Sequence, residues 1–141
     1  MPAVRQVVLD ASVGVKWFRD EPGSAEAREL LLAHGRGEVE LVVPSLFVYE
    51  VVAVATRTMS ASDARAFWDR FMSWRLSVVE VGGEFVYEAL AVRERLGCSF
   101  CDAVAPALAV RMGAQFYSAD AGVRFAGVQL VSDVESLGDD A

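Results

Sequence analysis

Val4-Arg-Gln-Val-Val-Leu-Asp10-Ala-Ser12-Val-Gly-Val-Lys16-Trp-Phe18 is the stretch that decides the fold. Its apolar run ends on an acid, and a helical pattern starts within two residues of that acid. A run such as Val7-Val8-Leu9, without polar alternation, suits a strand covered on both faces, as in a parallel sheet. The stretch therefore reads as a buried strand, Val4 to Leu9, feeding a helix near Ser12 to Phe18. A strand that leads directly into a helix is the first half of a βαβ crossover.

The pattern repeats along the chain. A helix is expected from about Ser24 to His34, ended by Gly35, and then a second strand from Glu40 to Val43, closed by Pro44. Ser45 is expected to cap a long apolar helix to about Thr58, and Ser60 with Asp63 to open another running to about Ser73. A third strand, Leu76 to Val81, turns at Gly82-Gly83 into an amphipathic helix, Glu84 to Leu96, stopped by Gly97. Ser99 caps the next helix, which ends at Met112-Gly113, and Gln115 to Ser118 and Val128 to Val131 are the last strands. Strands alternating with helices predict a three-layer α/β/α sandwich around a central parallel sheet of about five strands. One domain is expected over residues 1–132, with 133–141 as a short C-terminal tail.

Composition agrees with one domain that has a real core: 141 residues, 54% of them hydrophobic. No apolar run reaches the ~18 residues of a membrane span, and the N-terminus lacks a basic region followed by a cleavage site. The expectation is a soluble, cytoplasmic protein with no membrane association. So large an apolar fraction on so short a chain also favours an oligomer or a partner that covers part of the surface. The net charge of −7 argues against a general electrostatic grip on nucleic acid. It leaves room for local contacts, and Lys16, which follows Asp10 closely, is the cation expected to meet a phosphate beside a bound divalent ion.

Twenty residues are acidic, and sixteen of them lie in polar segments or on wet helix faces. Asp10, Glu50, Asp102 and Asp120 are instead embedded in apolar runs: Val-Val-Leu-Asp10, Phe-Val-Tyr-Glu50-Val-Val, Phe-Cys-Asp102-Ala-Val and Phe-Tyr-Ser-Ala-Asp120. Taking a carboxylate out of water costs several kcal/mol, so a fold that keeps four must compensate them. Each has an ordinary reading by itself. Asp10 and Asp120 could cap helices, Asp102 could pair with Ser99 in a capping box, and Glu50 could meet an Arg. That reading handles Glu50 poorly, since its helix offers no cation before Arg57.

Parallel topology puts all the C-terminal strand ends on one edge, where ligands bind in such sheets. Asp10 and Asp120 each stand just past a strand, while Glu50 and Asp102 stand early in helices that begin near the same edge. Four carboxylates sharing one pocket repel one another, and Mg²⁺ or Mn²⁺ reverses that. Hard ions take oxygen ligands and leave positions for phosphate oxygens and water, which points to phosphodiester hydrolysis.

Other motifs carry less. Cys98-Ser-Phe-Cys101 has the spacing of a redox pair but follows a helix end rather than a strand, so small buried residues or a local disulfide compete with a redox role. Two Cys and the lone, distant His34 do not make a zinc set, and His34 suits a helix C-terminus. No phosphate-binding Gly-rich motif and no nucleophilic Ser motif occurs. A phosphatase with an aspartyl nucleophile would want a second Asp where Ser12 stands. A non-catalytic interaction protein remains the other alternative.

The series Val-Val-Leu-Asp10-Ala-Ser12, Pro44-Ser45 through Tyr49-Glu50-Val, Arg95-Leu-Gly97 through Cys101-Asp102-Ala, and Tyr117-Ser-Ala-Asp120 resembles a PIN domain. In particular it is similar to the VapC-type toxins of toxin–antitoxin pairs. The resemblance implies an Mg²⁺- or Mn²⁺-dependent endoribonuclease, usually a homodimer, held in check by a cognate basic antitoxin. Asp10, Asp102 and Asp120 would hold metal and Glu50 would position metal or water, while Ser12 and Ser118 would hydrogen-bond around the pocket. The chain departs from the usual pattern at Ala53, where relatives carry Asn, at Cys101 in place of Tyr, and at Ser118 in place of Thr. Pro106 is expected to kink or loosen the first turns of the helix that bears Asp102.

Overall fold

The first strand, β1 (Arg5–Leu9), lies at the centre of a five-stranded parallel sheet. The computed structural model describes residues 4–119 and 128–130. β2 (Val39–Pro44) and β3 (Ser77–Val79) lie on one side of β1, and β4 (Gln115–Ser118) and β5 (Val128–Leu130) on the other, in the order β3-β2-β1-β4-β5. Every pairing is parallel, with Val8 opposite Val42 on one side and Phe116 on the other. The sandwich expected from the strand–helix alternation is therefore the fold, and the expected C-terminal tail falls outside the described residues.

Among the described residues six helices cover the two faces: α1 (Ala11–Val15), α2 (Ser24–Gly35), α3 (Ser45–Thr58), α4 (Ala61–Trp74), α5 (Phe85–Leu96) and α6 (Phe100–Met112). Successive strand residues point to opposite faces, and the core divides by that period of two. Val7, Leu9, Leu41, Val43 and Tyr117 join the side chains of α1 to α4, while Val8, Val42 and Phe116 join those of α5 and α6. The first of these cores is aromatic: Trp17 packs at 5.9 Å from Phe47 and 5.4 Å from Trp74, and Trp68 stacks on Phe71 at 5.1 Å.

Several boundaries differ from expectation for local reasons. α1 stops at Val15 rather than Phe18, because Trp17 turns into the core and its indole N–H donates to the Ala27 carbonyl at 2.9 Å. Pro44, not Ser45, is the N-cap of α3, and no side chain caps that end. β3 is trimmed to three residues. Ser60 and Ser99 do cap as expected, accepting from Asp63 N–H and Asp102 N–H. α6 runs unbroken through Pro106, which is buried; the missing N–H costs the helix one bond, to the Asp102 carbonyl four residues back.

His34 stands in the last turn of α2, as expected, and has a further purpose. Its Nδ1 accepts from the Leu41 N–H at 3.1 Å and its Nε2 lies 3.0 Å from the Trp74 carbonyl. The ring thus ties α2 to β2 and to the end of α4.

Candidate active site at the carboxyl edge of the sheet

Asp10 follows β1 directly and caps α1. Its backbone N–H donates to the Tyr117 carbonyl at 3.0 Å, which continues the β1–β4 ladder one residue past the strand. Its carboxylate then receives two bonds from Ser12, the backbone N–H at 3.1 Å and the hydroxyl at 2.6 Å. The second is in the short range of charge-assisted O–H···O⁻ bonds. The same Ser12 hydroxyl accepts from the Ala119 N–H at 3.0 Å and lies 3.4 Å from the Ser118 hydroxyl. One short side chain thus joins the C-terminal ends of β1 and β4 and aims Asp10. Ser12 thus lies between Asp10 and Ser118.

Glu50 approaches from α3, one and a half turns into the helix, and is partly buried. Its carboxyl is pushed up to about 7, first by burial and then by the charges of Asp10 and Asp102. These carboxylates come from three separate elements and lie within one another's field, as the parallel topology predicts. Asp102, partly buried in the first turn of α6, also helps burial to push the Cys98 thiol up. Asp120, the fourth acid of the expected set, lies outside the described residues.

Oxygen donors of this kind, half out of water and repelling each other, fit a hard divalent ion. Among the described residues no three His, Cys, Asp or Glu side chains are drawn tightly enough together to hold an ion by themselves. Lys16 stands away from this role: its ammonium, only 12% exposed, is held by the Glu21 carboxylate at 3.1 Å and the Pro22 carbonyl at 2.6 Å. Cys98 and Cys101 are free thiols, not a disulfide.

Sequence reasoning missed the Ala119 amide and Gly14. The first has no sequence signal, being a backbone group. The second had one, an isolated Gly inside a helical pattern, which often marks a close approach.

Fold and site together define a parallel α/β sandwich with acidic side chains at the carboxyl edge of its sheet. The chain belongs to the PIN domain family, whose model matches residues 7–128. Members of that family are nucleases and generally depend on a divalent metal. No curated protein sequence matches the chain.

Solved structures share the fold at low identity. PAE2754 from Pyrobaculum aerophilum is 18% identical with a TM-score of 0.68, covering 96% of each chain. The DNA-bound VapBC structure from Salmonella typhimurium includes a chain 16% identical with a TM-score of 0.68, covering 90% of this chain and 97% of that one. VapC20 from Mycobacterium tuberculosis, a toxin that cleaves the sarcin-ricin loop, is 17% identical with a TM-score of 0.63, covering 80% of this chain and 87% of that one. Among the described residues no helix is long and apolar enough to cross a membrane.

Proposed function

We propose that this PIN domain is a divalent-metal-dependent endoribonuclease and the toxin of a toxin–antitoxin pair. The observation that carries the reading is the convergence of Asp10, Glu50 and Asp102 from β1, α3 and α6, close enough for the first and last to raise the pKa of Glu50. Asp10, Asp102 and Asp120 would hold Mg²⁺ or Mn²⁺, and Glu50 would complete the set. When bound, the ion makes water a nucleophile at neutral pH and neutralises charge building on the phosphoryl oxygens.

The residues of the chain supply the rest. Ser12 holds the Asp10 carboxylate in one orientation, and Ser118 supports Ser12 from the neighbouring strand. Glu50, ionised once the ion is bound, would accept a proton from an attacking water. A role for Lys16 at a phosphate requires it to leave Glu21 and Pro22.

Structural similarity to chains of VapBC complexes supports an antitoxin partner, and a net charge of −7 favours a basic one. The exposed Tyr49, Tyr87 and Leu90 side chains support a homodimer. We further place the nuclease domain at residues 1–132 and the protein in the cytoplasm. A docking protein without catalysis is favoured by one feature, the apolar cleft of about 300 Å³ between α3, α5 and α6, lined by Leu46, Tyr49, Phe85 and Val104.

The test incubates structured RNA with the protein in Mn²⁺ or EDTA, alongside Asp10→Asn. Cleavage that needs Mn²⁺ and Asp10 is expected. Cleavage that ignores both contradicts the mechanism, and RNA left intact by wild type in Mn²⁺ favours the docking reading.

A further inference from the structure

α1 and α3 carry the two walls of the crevice, Asp10 with Ser12 on one and Glu50 on the other, and they meet at Gly14. The glycine is buried, and a Cβ built on it would stand 2.5 Å from Phe47 Cζ and 2.8 Å from Val51 Cγ2. Neither neighbour has room to give way. Phe47 is 1% exposed and wedged between Trp17 and Phe71, and Val51, also 1% exposed, is β-branched with a stiff χ1. Glu50 lies three residues after Phe47 and one before Val51, so it borders the helix face that Gly14 touches.

We propose that Gly14 is a positioning residue for the acidic crevice: it lets α1 seat directly on α3 and so fixes where Asp10 and Ser12 stand relative to Glu50. The need is for space, since Gly14 is not among the residues with positive φ. A methyl group here forces α1 off α3. Asp10 is anchored by its N–H bond to the Tyr117 carbonyl, so the displacement pivots about Asp10 and falls on Ser12, two residues before Gly14. Ser12 then loses its alignment with the Asp10 carboxylate and the Ala119 N–H, and the Asp10 carboxylate is no longer held in one orientation.

The inference rests on the metal-dependent reading above, and the test separates the two. Mn²⁺ binding is measured by calorimetry for wild type, Gly14→Ala, the pair Phe47→Leu with Val51→Ala, and the triple variant. Gly14→Ala is expected to weaken Mn²⁺ binding by about 10-fold or more, the range found when the support of a ligand is lost. The Phe47→Leu and Val51→Ala pair alone removes both obstructing atoms and lowers Tm, but leaves Mn²⁺ affinity within about twofold. The triple variant regains affinity, and it also serves if Gly14→Ala does not fold. Wild-type affinity in Gly14→Ala, an equal loss in the pair, or no rescue in the triple variant overturns the proposal.

If wild type itself binds no Mn²⁺, the metal reading fails, and crystal structures of the variants decide the positioning claim. A lengthened Ser12 Oγ to Ala119 N contact and a turned Asp10 carboxylate in Gly14→Ala, both reversed in the triple variant, are expected. Unchanged positions overturn it.

Discussion

Asp10 and Glu50 share one crevice, yet the chain holds them in different ways. Asp10 is gripped: a strand-end amide bond fixes its backbone, and two bonds from Ser12, one of them the N-cap bond of α1, fix its carboxylate. Glu50 receives no hydrogen bond among the described residues, and burial together with its acidic neighbours pushes its carboxyl up to about 7. Hydrogen bonds to a carboxylate favour its charged form, whereas desolvation and like charge favour the neutral one. One wall is thus held in one orientation, and the other is left to exchange a proton near neutral pH. That difference suits an ion ligand facing a group that can accept a proton from water.

The sharpest way to break the comparison is Asp10→Asn. Asn caps a helix as well as Asp does, so Tm should change little, while RNA cleavage in Mn²⁺ should fall by about 10³-fold. A large loss of Tm with the same residual activity per folded molecule would make Asp10 structural.

Glu50→Gln comes next, with activity expected to fall by about 10²-fold. It also has a stability signature in EDTA. A carboxyl whose folded pKa is raised from 4.5 to about 7 holds its proton in the folded state where the unfolded chain has lost it. Stability from this group is therefore present below pH 4.5 and lost as pH rises through about 7. Glu50→Gln removes that loss. Without metal, the variant should be more stable than wild type at pH 8 by about 1 kcal/mol, after allowance for solvent screening, and should gain no such advantage at pH 4. Parallel stability curves for the two proteins would show that Glu50 is not perturbed.

The smallest effect belongs to Ser12→Ala. Losing the hydroxyl that joins Asp10 to Ala119 should cost about 1 kcal/mol of stability and about 10-fold in activity. An unchanged rate would mean that the Asp10 wall needs no support from Ser12.

The gathering of acids could be read from the chain because two periodic signals fixed it. Uninterrupted Val-Val-Leu runs imposed a parallel sheet, and a parallel sheet puts the residues after its strands on one edge. Asp10, Glu50 and Asp102 stood out because each interrupts apolar sequence, a local signal that burial makes meaningful. What could not be read depends on side-chain direction and distant partners. Lys16 follows Asp10 closely, yet folds back to Glu21 and Pro22. His34 stands at a helix end as read, but its partners, Leu41 and Trp74, lie seven and forty residues away and leave no local signal. Cap choice at Pro44 rather than Ser45, and the early end of α1 at Val15, were set by tertiary packing that overrides local preference.

Proton release on Mn²⁺ binding, measured by calorimetry in buffers of different ionisation enthalpy, tests the central claim most directly. If Asp10, Glu50, Asp102 and Asp120 form a divalent site and Glu50 is largely protonated before the ion binds, binding at pH 6 should release close to one proton, and the release should fade by about pH 8.5. Glu50→Gln should abolish the release while still binding Mn²⁺ weakly. Absence of Mn²⁺ binding, or binding that releases no proton at pH 6, would contradict the account.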